Sequence, residues 1–368
     1  MTSGGPVLFR ELATVVALLA EETGLRSYQL PYPAAAQRML DRMVLHCAGL
    51  GVAPPMSLPE LLEWCRSVSA GDRLFNVPPA SVLPESTLVH PVGLMPTRTC
   101  LELSSAGAEE AAGTLLAELA DRCGPSERFQ RCRQFLALNP VVHQHDRHKG
   151  GWSREVWSQV SHLYQPPPDS LIVGGTLLRC GTCGLPALLS DRRTPDSLSA
   201  VSGPATWCEG ETCPDGVSME LVRNTAGVLL LRKPLRVFLA LPFRLEQKVL
   251  AALDGAAIGH QALPGALGGY RLRGDGLPVR RLHVQVRVQP ALLAERFWSV
   301  TEPVVVAVPE EFAGSAGYQA AFARALSGGE RVVLTGPSGL IHRIRDGRVL
   351  NETRTMGGRG AHSDTGSA

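Results

Sequence analysis

The stretch LHVQVRV, residues 282–288, decides how the C-terminal half of the chain is read. Its alternation sets Leu282, Val284, Val286 and Val288 on one face of a β-strand, and His283, Gln285 and Arg287 on the other. Around it, short elements alternate. LRVFLALP (235–242) reads as a strand, and FRLEQKVLAALDG (243–255) as a helix closed by Gly255. YRLRG (270–274) reads as a strand, PALLAERFW (290–298) as a helix and EPVVVAVP (302–309) as a strand. GYQAAFARALSGG (317–329) is a helix and ERVVLTG (330–336) the last clear strand. That order predicts one α/β unit, a mixed sheet with helices on its faces. LTGPSG (334–339) lacks the Gly-Lys-Ser/Thr ending of a phosphate loop and reads as a turn.

The N-terminal half has a different grain. Apolar residues recur at helical spacing in LFRELATVVALLAEE (8–22), AAAQRMLDRMVLHCAGL (34–50), SLPELLEWCRS (57–67) and AEEAAGTLLAELADRC (108–123). Ser57 followed by Glu60 predicts a capping box, with Pro59 tolerated in the first turn. The proline run in YQPPPDS (164–170) ends this region as a stiff linker. Within it, HQHDRH (His143, His145, Asp146, His148) reads as a solvated polar loop, because no helical pair or supporting partner accompanies the imidazoles. No apolar run is long enough for a transmembrane helix, acids follow the apolar N-terminal stretch at once, and a cytoplasmic location is expected.

Between the halves stand Cys180, Cys183, Cys208 and Cys213, spaced C-x2-C, 24 residues, C-x4-C. Glycine or proline beside each pair permits tight knuckles that aim two sulfurs at one point. Four thiolates match the closed tetrahedral shell of structural Zn²⁺, and the flanks TLLR and LPALL suit the strands of a zinc ribbon. The other five cysteines are scattered among helical segments, where a buried reduced thiol is the default.

Net charge is +2, which selects no partner. Of 36 basic residues only Lys149, Lys233 and Lys248 are lysine. Arginine stays protonated at any working pH and is a poor proton acceptor.

The phrases LPYPAAAQRMLDRMVLHCAGLGVAPPMSLPELLEWC (30–65) and MPTRTC (95–100), with the paired cysteines, resemble proteins of the prokaryotic pPIWI-RE three-gene island. The resemblance runs over about residues 10–350. It implies that the helical region over 1–165 is a domain Y and that the α/β unit over 231–350 is a restriction-endonuclease-like PD-(D/E)xK domain; the residues themselves read as a four-cysteine zinc ribbon over 166–230 and a disordered tail over 351–368. The expected class is thus multidomain, α plus α/β. As partners it implies a Piwi-like protein and a DinG-type helicase acting with DNA or an RNA–DNA hybrid against plasmid or phage DNA, without a membrane.

A nuclease of that fold holds Mg²⁺ between acids on two adjacent strands, with a lysine two residues beyond the second. Here Glu246 stands for the helix glutamate, or is an exposed helix carboxylate. Arg271 falls where the first aspartate belongs, and His283 with Gln285, or Gln285 with Arg287, replaces the acid and lysine. Asp275 is the one displaced acid that could rescue a Mg²⁺ site together with Glu246 and Gln285. The reading is therefore a degenerate nuclease in which Arg271, Arg273, Arg280, Arg281 and Arg287 grip nucleic-acid phosphates. An active, rearranged nuclease and a pure scaffold are the alternatives.

Overall fold

The computed structural model describes residues 4–346 except 23–24, 26–27, 93, 105, 125, 144–153, 190–205, 212, 214–218, 264–266 and 327–330. The tail at 351–368 and most of HQHDRH lie outside the described residues. Among the described residues no helix is long and apolar enough to cross a membrane.

The first part is helical. Helices α1 (Gly4–Glu22), α2 (Ala34–Leu50), α3 (Leu58–Ser67) and α4 (Arg98–Ser104) share one core. Leu8, Phe9, Leu12, Val16 and Leu19 of α1 meet Met39, Met43 and Cys47 of α2 and Leu61, Leu62 and Cys65 of α3. The expected cap on α3 forms: the Glu60 N–H donates to Ser57 Oγ at 3.3 Å, and Glu60 Oε2 accepts from the Met56 N–H at 2.7 Å. Helix α4, built on the MPTRTC phrase, is short and buried from Arg98 to Leu103.

Helices α5 (Ala106–Cys123), α6 (Ser126–Leu138) and α7 (Arg154–Val160) form a second layer. Beside them lies an antiparallel sheet ordered β1 (Val141–His143), β8 (Val228–Leu231), β2 (Tyr164–Gln165). The chain therefore leaves this sheet after β2 and returns to it at β8, with the cysteine-bearing segment inserted between.

That insertion contains β3 (Ile172–Val173), β4 (Thr176–Cys180), β5 (Pro186–Leu189), β6 (Thr206–Cys208) and β7 (Met219–Arg223). The sheet runs β3-β4-β5-β6, with β7 also pairing β4.

The segment 235–242, expected as a strand, is helical instead. Helix α8 (Lys233–Leu235), a π-helical stretch at Arg236–Ala240 and α9 (Leu241–Gly255) run on continuously. Leu235, Leu239 and Phe243 recur at i, i+4 and i+8 and bury together against α5–α7. Pro242 lacks an N–H, so the Phe238 carbonyl has no donor four residues on, and the helix widens there. The apolar run that suggested a strand is apolar because this helix is covered on several sides.

The C-terminal sheet is ordered β13 (Val332–Thr335), β12 (Val304–Ala307), β11 (Arg281–Val284), β10 (Gly269–Arg273), β9 (Gly259–Ala262). The three strands β9, β10 and β11 are antiparallel neighbours, while β11, β12 and β13 are parallel. Helix α10 (Pro290–Glu295) crosses from β11 to β12. Helices α11 (Glu310–Gly314) and α12 (Ala316–Ala325) cross from β12 to β13, and α13 (Leu340–Asp346) follows.

Leu282, Val284, Val286, Tyr270 and Leu272 share one face with Val249 and Leu253 of α9. Leu293, Phe297, Tyr318 and Phe322 cover Val304 and Val306 on the other. The alternation read from LHVQVRV is thus the partition of two cores, although regular strand pairing stops at Val284.

Candidate functional site

Three constellations concentrate the chemistry. The first is the sulfur cluster. The Sγ atoms of Cys180, Cys183, Cys208 and Cys213 lie within 4.8 Å of one another, and the four residues could hold a metal ion. Three separations are 3.7 Å (Cys180–Cys213), 3.2 Å (Cys183–Cys208) and 3.9 Å (Cys208–Cys213). A tetrahedron with ligand bonds of about 2.3 Å has edges of about 3.8 Å, so the spacing suits a zinc-sized ion. The first knuckle turns at Gly184 (φ 73°), whose N–H returns to the Cys180 carbonyl at 2.8 Å. At the second, a Cβ on Gly210 would lie 3.3 Å from Cys183 Sγ and 3.5 Å from Cys208 Sγ. A side chain there would crowd the sulfurs and Leu241, so glycine lets the backbone close over the cluster, and its N–H donates to Cys208 Sγ at 3.4 Å.

The same knuckle carries two acids outward, Glu209 buried and Glu211 half-buried. Glu209 takes a two-pronged ion pair from Arg236, with Nε–Oε2 at 2.7 Å and Nη2–Oε1 at 2.8 Å. Glu211 accepts from the Arg98 N–H at 2.9 Å and from Trp207 Nε1 at 3.4 Å. Burial pushes the Glu211 carboxyl up to about 7. One knuckle therefore grips the helix entering the C-terminal unit and the MPTRTC helix at once.

The second constellation is a narrow recess at the end of β10 and β11, with a cavity volume of about 30 Å³. It is lined by Glu246, Gln285 and Arg287, together with Arg98, Glu109 and Arg133 from the helical layers. Glu246, which the sequence left open as an exposed helix carboxylate, is 3% exposed. Arg133 Nη2 donates to both its oxygens, at 2.9 and 3.1 Å, and Tyr270 Oη donates to Oε1. Burial, then the neighbouring carboxylate, raise the Tyr270 phenol well above its ordinary value, so it stays a donor. Arg287 pairs with Glu109, which also takes Arg296. The charge beside Glu246 thus comes from Arg133 of α6, not from Arg271.

The third constellation is an open cleft of about 640 Å³ lined by Arg271, Arg273, Arg280, Arg281, Asp275 and Glu302. Arg271 and Arg273 alternate with buried Leu272 on β10 and project from the exposed face. Arg281 pairs with Glu302 at 2.9 Å, and Arg273 bonds Gln261. Among the described residues neither Arg271 nor Arg280 forms an ion pair.

The residues proposed from sequence as one remnant site are therefore divided. Glu246, Gln285 and Arg287 meet in the recess; Arg271 and Asp275 line the cleft; His283 faces Phe297, ring centroids 5.3 Å apart. Arg98, Glu109 and Arg133 were missed, since they come from helices 113 to 188 residues away from their partners. Among the described residues the four cysteines are the only group of three or more metal-ligating side chains brought together. His143, the described part of HQHDRH, contacts the Asn224 carbonyl at 3.3 Å.

His283 also makes stability depend on pH. Burial, then Arg296 and Arg281, lower its imidazole to about 4, and burial alone lowers His90 to about 4. Both lie below the unfolded value of about 6.5. As pH falls, the unfolded chain takes up these protons first, so stability drops from about pH 6.5 and levels off near 4. Thermal denaturation across that window is expected to show the decline, and His283→Asn to flatten part of it. An unchanged profile in the variant would remove His283 as a cause.

No curated protein and no solved structure matches the chain. Residues 8–143, from α1 to the end of β1, match the family model described as pPIWI_RE three-gene island domain Y. The matched span includes the MPTRTC helix and both phrases that carried the resemblance, so this N-terminal part of the chain is similar to domain Y of the pPIWI-RE three-gene island.

Proposed function

We propose that the chain is a non-cleaving accessory subunit of a pPIWI-RE defence system, which binds the sugar–phosphate backbone of DNA or an RNA–DNA hybrid. Its C-terminal unit is a restriction-endonuclease-like fold whose metal chemistry is lost, and its cysteine cluster is a structural zinc site. Three domains are proposed: helical domain Y over 1–165, the ribbon over 166–230 and the endonuclease-like unit over 231–350. The Piwi-like protein and DinG-type helicase of the island are its expected partners.

The order α9-β9-β10-β11-α10-β12, with an antiparallel trio followed by a parallel neighbour, supports the endonuclease reading. The observation that carries the loss of cleavage is the Arg133–Glu246 pair. A divalent cation about 4 Å from the guanidinium would be repelled by roughly 8 kcal/mol at an effective dielectric of 20. It would find two carboxylates, Glu246 and Glu109, both already engaged by arginines, and the neutral amide of Gln285, whereas Mg²⁺ wants several free hard anionic oxygens. Asp275 supplies no second acid there, because it lines the other cleft.

That other cleft suits phosphates. Four guanidinium groups face two carboxylates, one of them already paired, and guanidinium geometry matches phosphate oxygens. In fluorescence anisotropy with duplex DNA, Arg271→Glu with Arg280→Glu should weaken binding by about tenfold or more. The pair should also flatten the slope of log K against log salt by about 2. The chain should leave plasmid DNA intact in Mg²⁺ or Mn²⁺. Nicking that disappears in Glu246→Ala would overturn the reading in favour of the rearranged nuclease.

A further inference from the structure

Among the described residues Arg98 is the largest side chain below 2% exposure, at 1%. Its Nη2 donates to Glu102 Oε1 at 3.3 Å and to the Val286 carbonyl at 3.2 Å. Its Nε and Nη1 atoms are buried and have no hydrogen-bond partner. Three of its five N–H bonds thus lack an acceptor, and the side chain lines the recess that also holds Arg133, Arg287 and Gln285.

Three guanidinium groups, Arg98, Arg133 and Arg287, and two carboxylates, Glu246 and Glu109, line the recess. Glu102 pairs with Arg98 from outside the lining, Glu246 with Arg133 and Glu109 with Arg287. Buried donors without acceptors are costly, and an anion rich in acceptor oxygens would satisfy those of Arg98.

We propose that this recess is a phosphate-binding pocket, with the Nε and Nη1 groups of Arg98 as its floor and Arg133 and Arg287 at its rim. The rim residues are the more accessible, their side chains 19% and 11% exposed. The amide of Gln285 supplies a further donor. Carboxylate repulsion is blunted because Glu246 and Glu109 already accept from guanidinium groups. The proposal is independent of the arginine cleft on β10 and of whether the chain cleaves.

The test titrates inorganic phosphate into the full chain at constant ionic strength, read by calorimetry and by ³¹P line broadening. One saturable site is expected, weakened about tenfold or more by Arg98→Gln and by Gln285→Glu, which sets a carboxylate into the recess. Arg271→Glu with Arg280→Glu should leave it unchanged, so that failure of the cleft and failure of the recess are told apart. Should Arg98→Gln not fold, Gln285→Glu with unaltered circular dichroism decides the matter.

A companion measurement compares 5′-phosphorylated and unphosphorylated oligonucleotides. Preference for the phosphorylated strand, lost in Gln285→Glu, assigns the phosphate to a strand end; equal affinity beside a saturable inorganic site assigns it to the free anion. No saturable site, or one that Gln285→Glu leaves intact, overturns the proposal.

Discussion

Cys208→Ser is expected to leave the purified chain without zinc and with its central third open to protease, and extraction of zinc by a chelator should do the same. The strands of the insertion are three to five residues long apart from the two-residue β3, too short to hold a fold by burial alone. Structural zinc contributes on the order of 10–16 kcal/mol to such a segment. The damage should also spread. Glu209 and Glu211 follow Cys208 on the same knuckle, and they hold Arg236 and the start of the MPTRTC helix. Cleavage is therefore expected inside 176–223 first, followed by loss of the cooperative melt of the whole chain. Metal analysis should find about one zinc per chain, absent in Cys183→Ser and Cys208→Ser but kept in Cys132→Ser, whose thiol lies against Cys123 in another core. A zinc-free chain with the same protease pattern and melting curve would sink the structural role.

This cluster was legible in the sequence because its geometry is local: each pair of sulfurs sits on one knuckle, and only the meeting of two knuckles is long-range. Local pattern likewise gave the cap at Ser57 and the two faces of LHVQVRV. It failed at LRVFLALP, where eight residues that are apolar apart from Arg236 fit a covered helix as well as a buried strand, and Pro242 was not weighed as a helix-bulging residue. It failed again at the remnant site. Alternation along β10 was read correctly, yet which face looked toward Glu246 depends on the sheet's packing. Tyr270 faces α9, and Arg271 therefore faces away. Arg133 could not have been found at all from pattern, since a bond spanning 113 residues leaves no trace in spacing. The one available hint was arginine in RCRQF, amid otherwise ordinary helical sequence.

Glu102→Ala is expected to be the most destabilising single change in the interface between domain Y and the C-terminal unit. The Glu102 side chain is 0% exposed. Its Oε1 accepts from Arg98 and from the Val288 N–H at 2.9 Å, and its Oε2 from the Gln289 N–H at 3.0 Å. Gln289 is itself 1% exposed and reaches back to Leu83, Ser86 and Thr99. Removing the carboxylate strips the ion-pair partner from a buried guanidinium, at about 3–5 kcal/mol, and leaves two backbone donors wanting acceptors. Against a total stability of about 5–15 kcal/mol that is a large fraction. It corresponds to a fall in melting temperature on the order of 10 °C. The double variant Arg98→Met with Glu102→Leu should be milder than Glu102→Ala, because it deletes both charges and refills the space, while the coupling between the sites appears as non-additivity in the cycle. Calorimetry on the three variants checks this directly. Equal losses for the single and double changes would mean that packing, not the buried pair, joins the N-terminal helices to the segment 288–289 that leads from LHVQVRV into α10.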